Sequence, residues 1–252
     1  MKSRSHLIIG TLSTIEFSIL TGIELTPVTL SVAAILSTIP DLDEPNSNVG
    51  SYIVSKKTTK KIHRLILYSL LLAVFYISYR YYNNMYIGVF FSIISILFLE
   101  KKVSENKVRS LTLALFLMII GGIFLFLNLS IWISVVCILF SLFPLFKHRS
   151  FTHSIFMVLI IFSLMVFLEY TFKVRYLAII SSFAYLTHLL GDIITKRGIP
   201  IFYPLSKKYY SIGNLRVGYL MCNIVEYGII ILLLFLILYH ISVYGVGNIF
   251  RI

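Results

Sequence analysis

The sequence predicts an all-α fold, a polytopic bundle of transmembrane helices, and three observations lead there. The chain has 252 residues, of which 58% are hydrophobic and only 13% charged, where soluble domains are about a quarter charged. Its mean hydropathy is +0.93. Its apolar residues fall into long runs separated by short polar stretches, at roughly 7–20, 28–39, 65–79, 86–99, 111–127, 131–146, 153–168, 176–195 and 224–244. A helix needs about 20 apolar residues to cross about 30 Å of hydrocarbon, so the pattern predicts about seven to nine membrane segments in one integral membrane domain spanning 1–252. No internal repeat or low-complexity linker divides the chain.

Taken in order, the first two runs are short for full crossings. Pro27 opens the second and Pro40 closes it, which predicts a short re-entrant hairpin that enters and returns. Lys2 and Arg4 before the first run resemble the start of a signal peptide, but no small-residue cleavage site follows and Glu16 interrupts the run, so a retained segment is expected. Polar stretches at 40–64, 100–110, 147–152 and 196–223 separate the later runs, and Ser150 is expected to cap the helix beginning near Phe151. Cys137 lies inside an apolar run and reads as a packed free thiol, since two cysteines make no disulfide framework.

Placing the N-terminus in the cytoplasm puts those four stretches there too. Eighteen of the 22 Lys and Arg then lie on the cytoplasmic side, leaving Arg80, Lys173, Arg175 and Arg251 outside. That is the positive-inside pattern of a multi-pass protein of the plasma or inner membrane. It also accounts for the net charge of +12 without nucleic acid as a partner.

The same orientation gathers the chemistry-bearing residues on one face. The chain has only 10 acidic residues and 6 histidines, and at membrane depth each is expensive to bury. Most fall in five stretches: His6, the run Pro40 to Asn46, His63-Arg64, His148 to His153, and His188 to Asp192. His188 and Asp192 are four residues apart and share one helix face, as two metal ligands or as a ligand with its orienting acid. Asp41 and Asp43 alone read as a solvated turn before they read as a cation site. His148 and His153 flank Arg149, whose guanidinium can fork onto phosphate oxygens. Mixed His and Asp donors suit Zn²⁺ or Mn²⁺ and oxygen-rich ones Mg²⁺. Glu16, inside the first apolar run, is a functional candidate by its position, and His240 is expected on the far side, away from any site.

Together these stretches resemble the YdjM-like family of membrane-bound, metal-dependent hydrolases, whose bacterial members include LexA-regulated ones. That family's pattern opens with a histidine before the first segment, matched by His6. A PDxDxPxS-like run follows at Pro40 to Ser47, then an HRGxTHS-like run at His148 to Ser154. An HLxxDxxTxxG-like run follows at His188 to Gly198 and continues to Pro200 and Pro204, and a glycine-to-glutamate element spans Gly218 to Glu226. Ser150 stands where the family commonly has glycine, and Glu44 where histidine is frequent. The resemblance implies His6, Asp41, Asp43, His153, His188 and Asp192 as ligands of a divalent metal ion, with Asp43, Arg149 and Glu226 at the chemistry. The expected reaction is hydrolysis of a lipid or amphiphilic phosphoester at the cytoplasmic face, membrane lipids being the surrounding partner. Asp192→Asn is expected to leave folding nearly intact, since the residue is read as lying at the rim.

Two other readings remain at the level of sequence. A divalent-cation transporter, or a metal-binding membrane protein without hydrolytic activity, would use Glu16 and Glu226 inside the membrane. A lipid phosphatase of the vanadium-chloroperoxidase type also pairs a histidine with an acid four residues on. That class requires a lysine-to-arginine-proline run and a serine-glycine-histidine triplet, and neither occurs here.

Overall fold

The computed structural model describes residues 1–44 and 47–244; Pro45, Asn46 and Arg251, named above, lie outside them. The described residues form α1 (Ser3–Thr21), α2 (Pro27–Leu36), α3 (Asn48–Ile53), α4 (Lys56–Tyr82), α5 (Met85–Lys102), α6 (Glu105–Phe126), α7 (Ile131–Leu142), α8 (Ile155–Phe172), α9 (Leu177–Ile193) and α10 (Leu220–Tyr244), with three 3-10 turns and no strand. Four of them, α4, α6, α8 and α10, are long and apolar enough to cross a membrane. Helix starts follow hydroxyl chemistry: the side chains of Thr26, Ser47, Ser55, Ser104, Ser130 and Ser154 each accept a backbone N–H of the first turn they precede.

Two local expectations are corrected. The basic stretch Lys56 to Arg64 is not loop but the first turns of α4, because Ser55 caps it and lysine is a good helix former. Ser150 makes no cap; Ser154 does that work for α8, its Oγ accepting from Met157 N. The first two runs form α1 and α2, which pack on each other across a turn at Gly22 in the left-handed region (φ 70°). The ten residues of α2 rise only about 15 Å.

At the centre stands α9, thirteen of whose residues are buried, packed against α1, α2 and α8. Its apolar side meets Met157, Ile161 and Met165 of α8 in a core that also takes in Leu36 and Phe143. Tyr185 sends its hydroxyl to the carbonyl of Thr152 at 2.5 Å, which fixes the segment before α8 against α9. α6 and α7 pack as a pair beside this core, and the α4–α5 hairpin touches α6. On α4 the large apolar side chains face outward, as lipid-facing residues do: Leu65, Leu72 and Tyr76 are all about two-thirds exposed.

α10 packs along α1, and the two run parallel. Lys2 and Ser5 bond to Glu226 at one end, and Glu16 Oε1 lies 2.8 Å from His240 Nδ1 at the other. Glu226 and His240 are fourteen residues apart on α10, about 21 Å of rise, and Ser5 and Glu16 eleven apart on α1. Cys137 is half-buried and Cys222 buried, and both thiols are free.

Close approach of α1 to the core depends on Gly10. A Cβ there would collide with Ser37 and come within 3.2 Å of Thr187 Oγ1. Gly122, on the open side of α6, has nothing within 4 Å of that position. Gly10→Leu is therefore expected to cost about 1–3 kcal/mol or more by overpacking. It should lower the midpoint of thermal loss of monodisperse protein in detergent, while Gly122→Leu leaves it at or above wild type. Equal midpoints would show that α1 does not pack here.

Candidate metal centre

Four stretches of chain bring polar side chains together at one end of α9. α1 brings His6 on its first turn. The 3-10 turn Ile39–Asp43, started by Pro40, brings Asp41 and Asp43. The segment before α8 brings His148, Arg149, Thr152 and His153, and α9 itself carries His188 and Asp192 one turn apart. Gly191 makes room for them. A Cβ on it would lie 3.0 Å from His6 Cε1, so the glycine lets the His6 ring reach α9, where it stacks on His188 with centroids 3.8 Å apart.

The donor atoms converge. His188 Nε2 lies 3.4 Å from His153 Nε2 and 3.6 Å from Asp41 Oδ1. Asp192 Oδ2 is 3.4 Å from His153 Nε2 and 3.9 Å from His188 Nε2, and its Oδ1 is 3.3 Å from His6 Nε2. Metal–ligand bonds of about 2.0–2.2 Å place tetrahedral donors about 3.3–3.6 Å apart, close to this spacing. Three sets, His6/His188/Asp192, Asp41/His153/His188 and Asp43/His148/His153, each have donors near enough to share an ion; the first two share His188 and the last two His153.

The unused ring atoms support the same orientation. His188 Nδ1 donates to the carbonyl of Ser37 at 2.8 Å, leaving Nε2 as a lone pair aimed at the cluster. His153 Nδ1 sits 3.2 Å from Asp43 Oδ2, the carboxylate–histidine arrangement usual behind a metal ligand. His6 Nε2 is buried without a hydrogen bond, although Asp192 is close. A cation between them would satisfy that orphan, so this donor set fits a divalent metal.

Other expected site residues are placed differently. Asp43 has both oxygens engaged by protein groups. Oδ1 is 2.6 Å from His148 Nδ1, and Oδ2 accepts from Arg149 N at 3.1 Å and Thr152 Oγ1 at 2.5 Å. Arg149, at φ 57°, is also committed. Its guanidinium donates to Asp192 Oδ1 at 2.8 Å, Thr195 Oγ1 at 3.0 Å and the Gly198 carbonyl at 3.1 Å. Glu226 stands behind α1, taking Lys2 N at 3.2 Å, the Ser5 hydroxyl and the Cys222 thiol at 3.4 Å. Glu44 is at the rim, 3.7 Å from His148 Nε2. His63 donates to the carbonyl of Val103 and ties α4 to the α5–α6 turn. Glu16 pairs with His240 and is not in the cluster. Gly191, Ser37 and Tyr185 support the centre without any motif to announce them; the glycine inside HLLGD was the nearest signal.

Burial and charge set the proton states outside the helices. Burial pushes the Asp41 carboxyl up from its ordinary value. Burial also works against the charge on Asp43, but the His153 charge and the hydrogen bonds from His148 and His153 outweigh it and hold the group at about 2. Burial disfavours a charged His153, yet the charge of Asp43 and the bonds to Asp192 and Asp43 raise it to about 9.

Comparison with known proteins agrees with this architecture. A family model described as YdjM inner membrane protein matches residues 91–249, well over half of the chain, and the chain belongs to that family. The match takes in His148 to His153 and His188 to Asp192; His6, Asp41 and Asp43 lie before it. No curated protein and no solved structure matches.

The sign of the His153 shift sets a pH dependence. Without metal, its raised value stabilises the fold fully below about 6.5, and that contribution is lost as pH rises through about 9. A metal needs the neutral ring and must displace the proton. Zn²⁺ or Mn²⁺ affinity of the purified protein should therefore rise about tenfold per pH unit between 7 and 9. A flat profile in competition titrations would remove His153 from the ligand set.

Proposed function

We propose that this chain is a multi-pass metal-dependent hydrolase of the inner membrane that cleaves a lipid or amphiphilic phosphoester at the cytoplasmic face. The observation that carries the reading is the convergence of three imidazole Nε2 atoms and two carboxylates, within 3.3–3.9 Å of one another in neighbouring pairs, beside a cleft of about 940 Å³. His6, Asp41, His153, His188 and Asp192 would hold one or two ions, Zn²⁺ or Mn²⁺ fitting the mixed donors best and Mg²⁺ following. A bound ion would supply Lewis acidity toward the phosphoryl oxygen and a water deprotonated near neutral pH.

The chain's own groups have distinct tasks in this reading. Asp43 keeps the His153 ring turned with Nε2 inward, and so acts through His153. Arg149 fixes the rotamer of Asp192 and balances its charge. Glu226 holds the first turn of α1, and with it His6. Asp41, half-buried on the cleft wall, is the ligand that substrate would meet. The cleft also carries Lys2, Arg4, Lys196, Arg197 and Arg216, cations that draw an anionic headgroup from the membrane surface.

The reading extends to topology. Seven to nine segments, with α1 and α2 dipping in and returning, would leave the N-terminus and the 196–219 segment cytoplasmic. The parallel α1 and α10 support a shared side for those two. Single cysteines at Lys207 and Ser3 should label with an impermeant maleimide only after inside-out vesicles are made; labelling of Lys207→Cys from outside intact cells would reverse the orientation.

Asp41→Asn should abolish turnover of the best member of a panel of anionic lipids and phosphoesters and lower bound metal. Asp43→Asn should weaken metal affinity about 10–100-fold, as loss of an orienting carboxylate does. Asp192→Asn is no longer a mild change, because the residue is 1% exposed and faces buried Arg149; about 3–5 kcal/mol of stability should go with it. If no ester is cleaved, while reconstituted vesicles take up divalent cations in a way lost with Asp41→Asn, the chain is a transporter.

A further inference from the structure

We propose that the cleft beside Asp41 recognises a diphosphate, so that the amphiphile cleaved at this centre is a diphosphate ester and not a simple monoester. The inference rests on the hydrolase reading for its reaction and on the cleft alone for its binding. Besides Arg149, which is held by Asp192, five cations line this one depression: Lys2 and Arg4 from the start of α1, Lys196 and Arg197 after α9, and Arg216 before α10. None of the five makes an ion pair with a carboxylate among the described residues. Glu44 is the acid on that wall besides Asp41. Unpaired like charges gathered in a concave site repel one another, and they raise the local concentration of a polyanion. A phosphate monoester carries at most about two negative charges; a terminal diphosphate carries more and spreads them over two phosphoryl groups.

The positive-inside tendency alone would scatter these residues over the cytoplasmic surface. Here they are held in place. The arm after α9 and the arm before α10 are tied together: Lys196 N donates to Leu215 O at 2.9 Å, Ile212 N to Ile193 O at 2.9 Å, and Ser211 Oγ to Thr195 O at 2.7 Å. Close packing at two glycines allows this. A Cβ on Gly213 would strike the carbonyl of Ile194, and one on Gly198, at φ 62°, that of Tyr210. Thr195 in turn accepts from Arg149, which grips Asp192. The arms carrying Lys196, Arg197 and Arg216 are thus fixed relative to the His/Asp cluster, so that one phosphoryl group can reach the centre while the other rests among the cations. In the reaction, water oxygen joins the terminal phosphorus and the bond from that phosphorus to the bridging oxygen breaks. The electron pair stays on the bridging oxygen, and the water's proton is released to solvent. The products are the amphiphile's monophosphate and inorganic phosphate.

Calorimetric titration of the full-length, metal-loaded protein in detergent tests this, with methylenediphosphonate (a diphosphate mimic that water does not cleave) and inorganic phosphate as probes. The diphosphonate should bind about tenfold tighter or more, a difference of about 1.4 kcal/mol. Arg197→Gln combined with Arg216→Gln should bring the two probes to nearly equal affinity while bound metal stays unchanged. Equal affinities in the wild type overturn the proposal. So does a preference that survives the double variant, because it then comes from chelation of the metal. Lys196→Gln with Arg4→Gln serves as a second pair should the first not fold. Turnover of monoesters with no diphosphonate preference would overturn the diphosphate and leave the hydrolase standing. Diphosphonate preference with no turnover of any ester would do the reverse.

Discussion

The carboxylate of Asp192 is the interaction on which the rest of this centre depends. It is 1% exposed at the end of a buried helix, where an unpaired charge would cost several kcal/mol. It is not unpaired. The Arg149 guanidinium and the Met1 amino group lie 2.8 Å from Oδ1, His6 approaches the same oxygen, and His153 and His188 approach Oδ2. The partners come from three stretches of chain, so satisfying this one acid obliges α1, α9 and the segment before α8 to meet at one point. Through Arg149 the obligation passes to Thr195 and Gly198, and so to the arm that bears the cleft cations. An ion among these donors would take over part of this compensation. Binding of such an ion would therefore be coupled to folding of the site.

Much of the site was legible because ligand chemistry is carried by rare residues in a chain this apolar. With six histidines and ten acids in 252 residues, residues stranded at the ends of apolar runs stand out, and the i,i+4 spacing of His188 and Asp192 already fixed a shared face. Asp41, His6 and His153 followed from their position at the same ends of neighbouring runs. What could not be read is which atom of each group faces inward. Asp43 looks like Asp41 in sequence, yet its two oxygens are taken by His148, Thr152, His153 and the Arg149 N–H, and only the folded path of the 3-10 turn decides that. Arg149 reads as a phosphate fork until its neighbours across forty or more residues are known. Glu226 looks like an active-site acid at the start of a helix, but it faces the backbone of α1.

The fold was legible to a similar degree and for a similar reason. Hydrophobic runs located the long helices because the membrane demands length and apolarity together. Boundaries slipped where a local rule acted against the hydropathy pattern. Ser55 starts α4 nine residues before the apolar stretch, through lysines that the helix tolerates well, and Ser154 displaces Ser150 as the cap of α8. Gly10 and Gly191 are invisible to any hydropathy measure, since their role is the absence of a side chain where α1 crosses Ser37 and where His6 reaches α9.

The architecture also explains why charged chemistry is tolerated beside a lipid-facing bundle. The polar cluster occupies one end of α9, while the rest of that helix is sealed by α2 and α8, so the low-dielectric surroundings strengthen each contact without stranding it. The parallel α1 and α10 carry a second polar pair, Glu16 with His240, about 21 Å further along α10. That pair keeps α10 in register on α1, and Glu226 at the other end converts this register into the position of the first turn of α1. The first turn of α1, which carries His6, is thus placed by contacts at both ends of a helix pair.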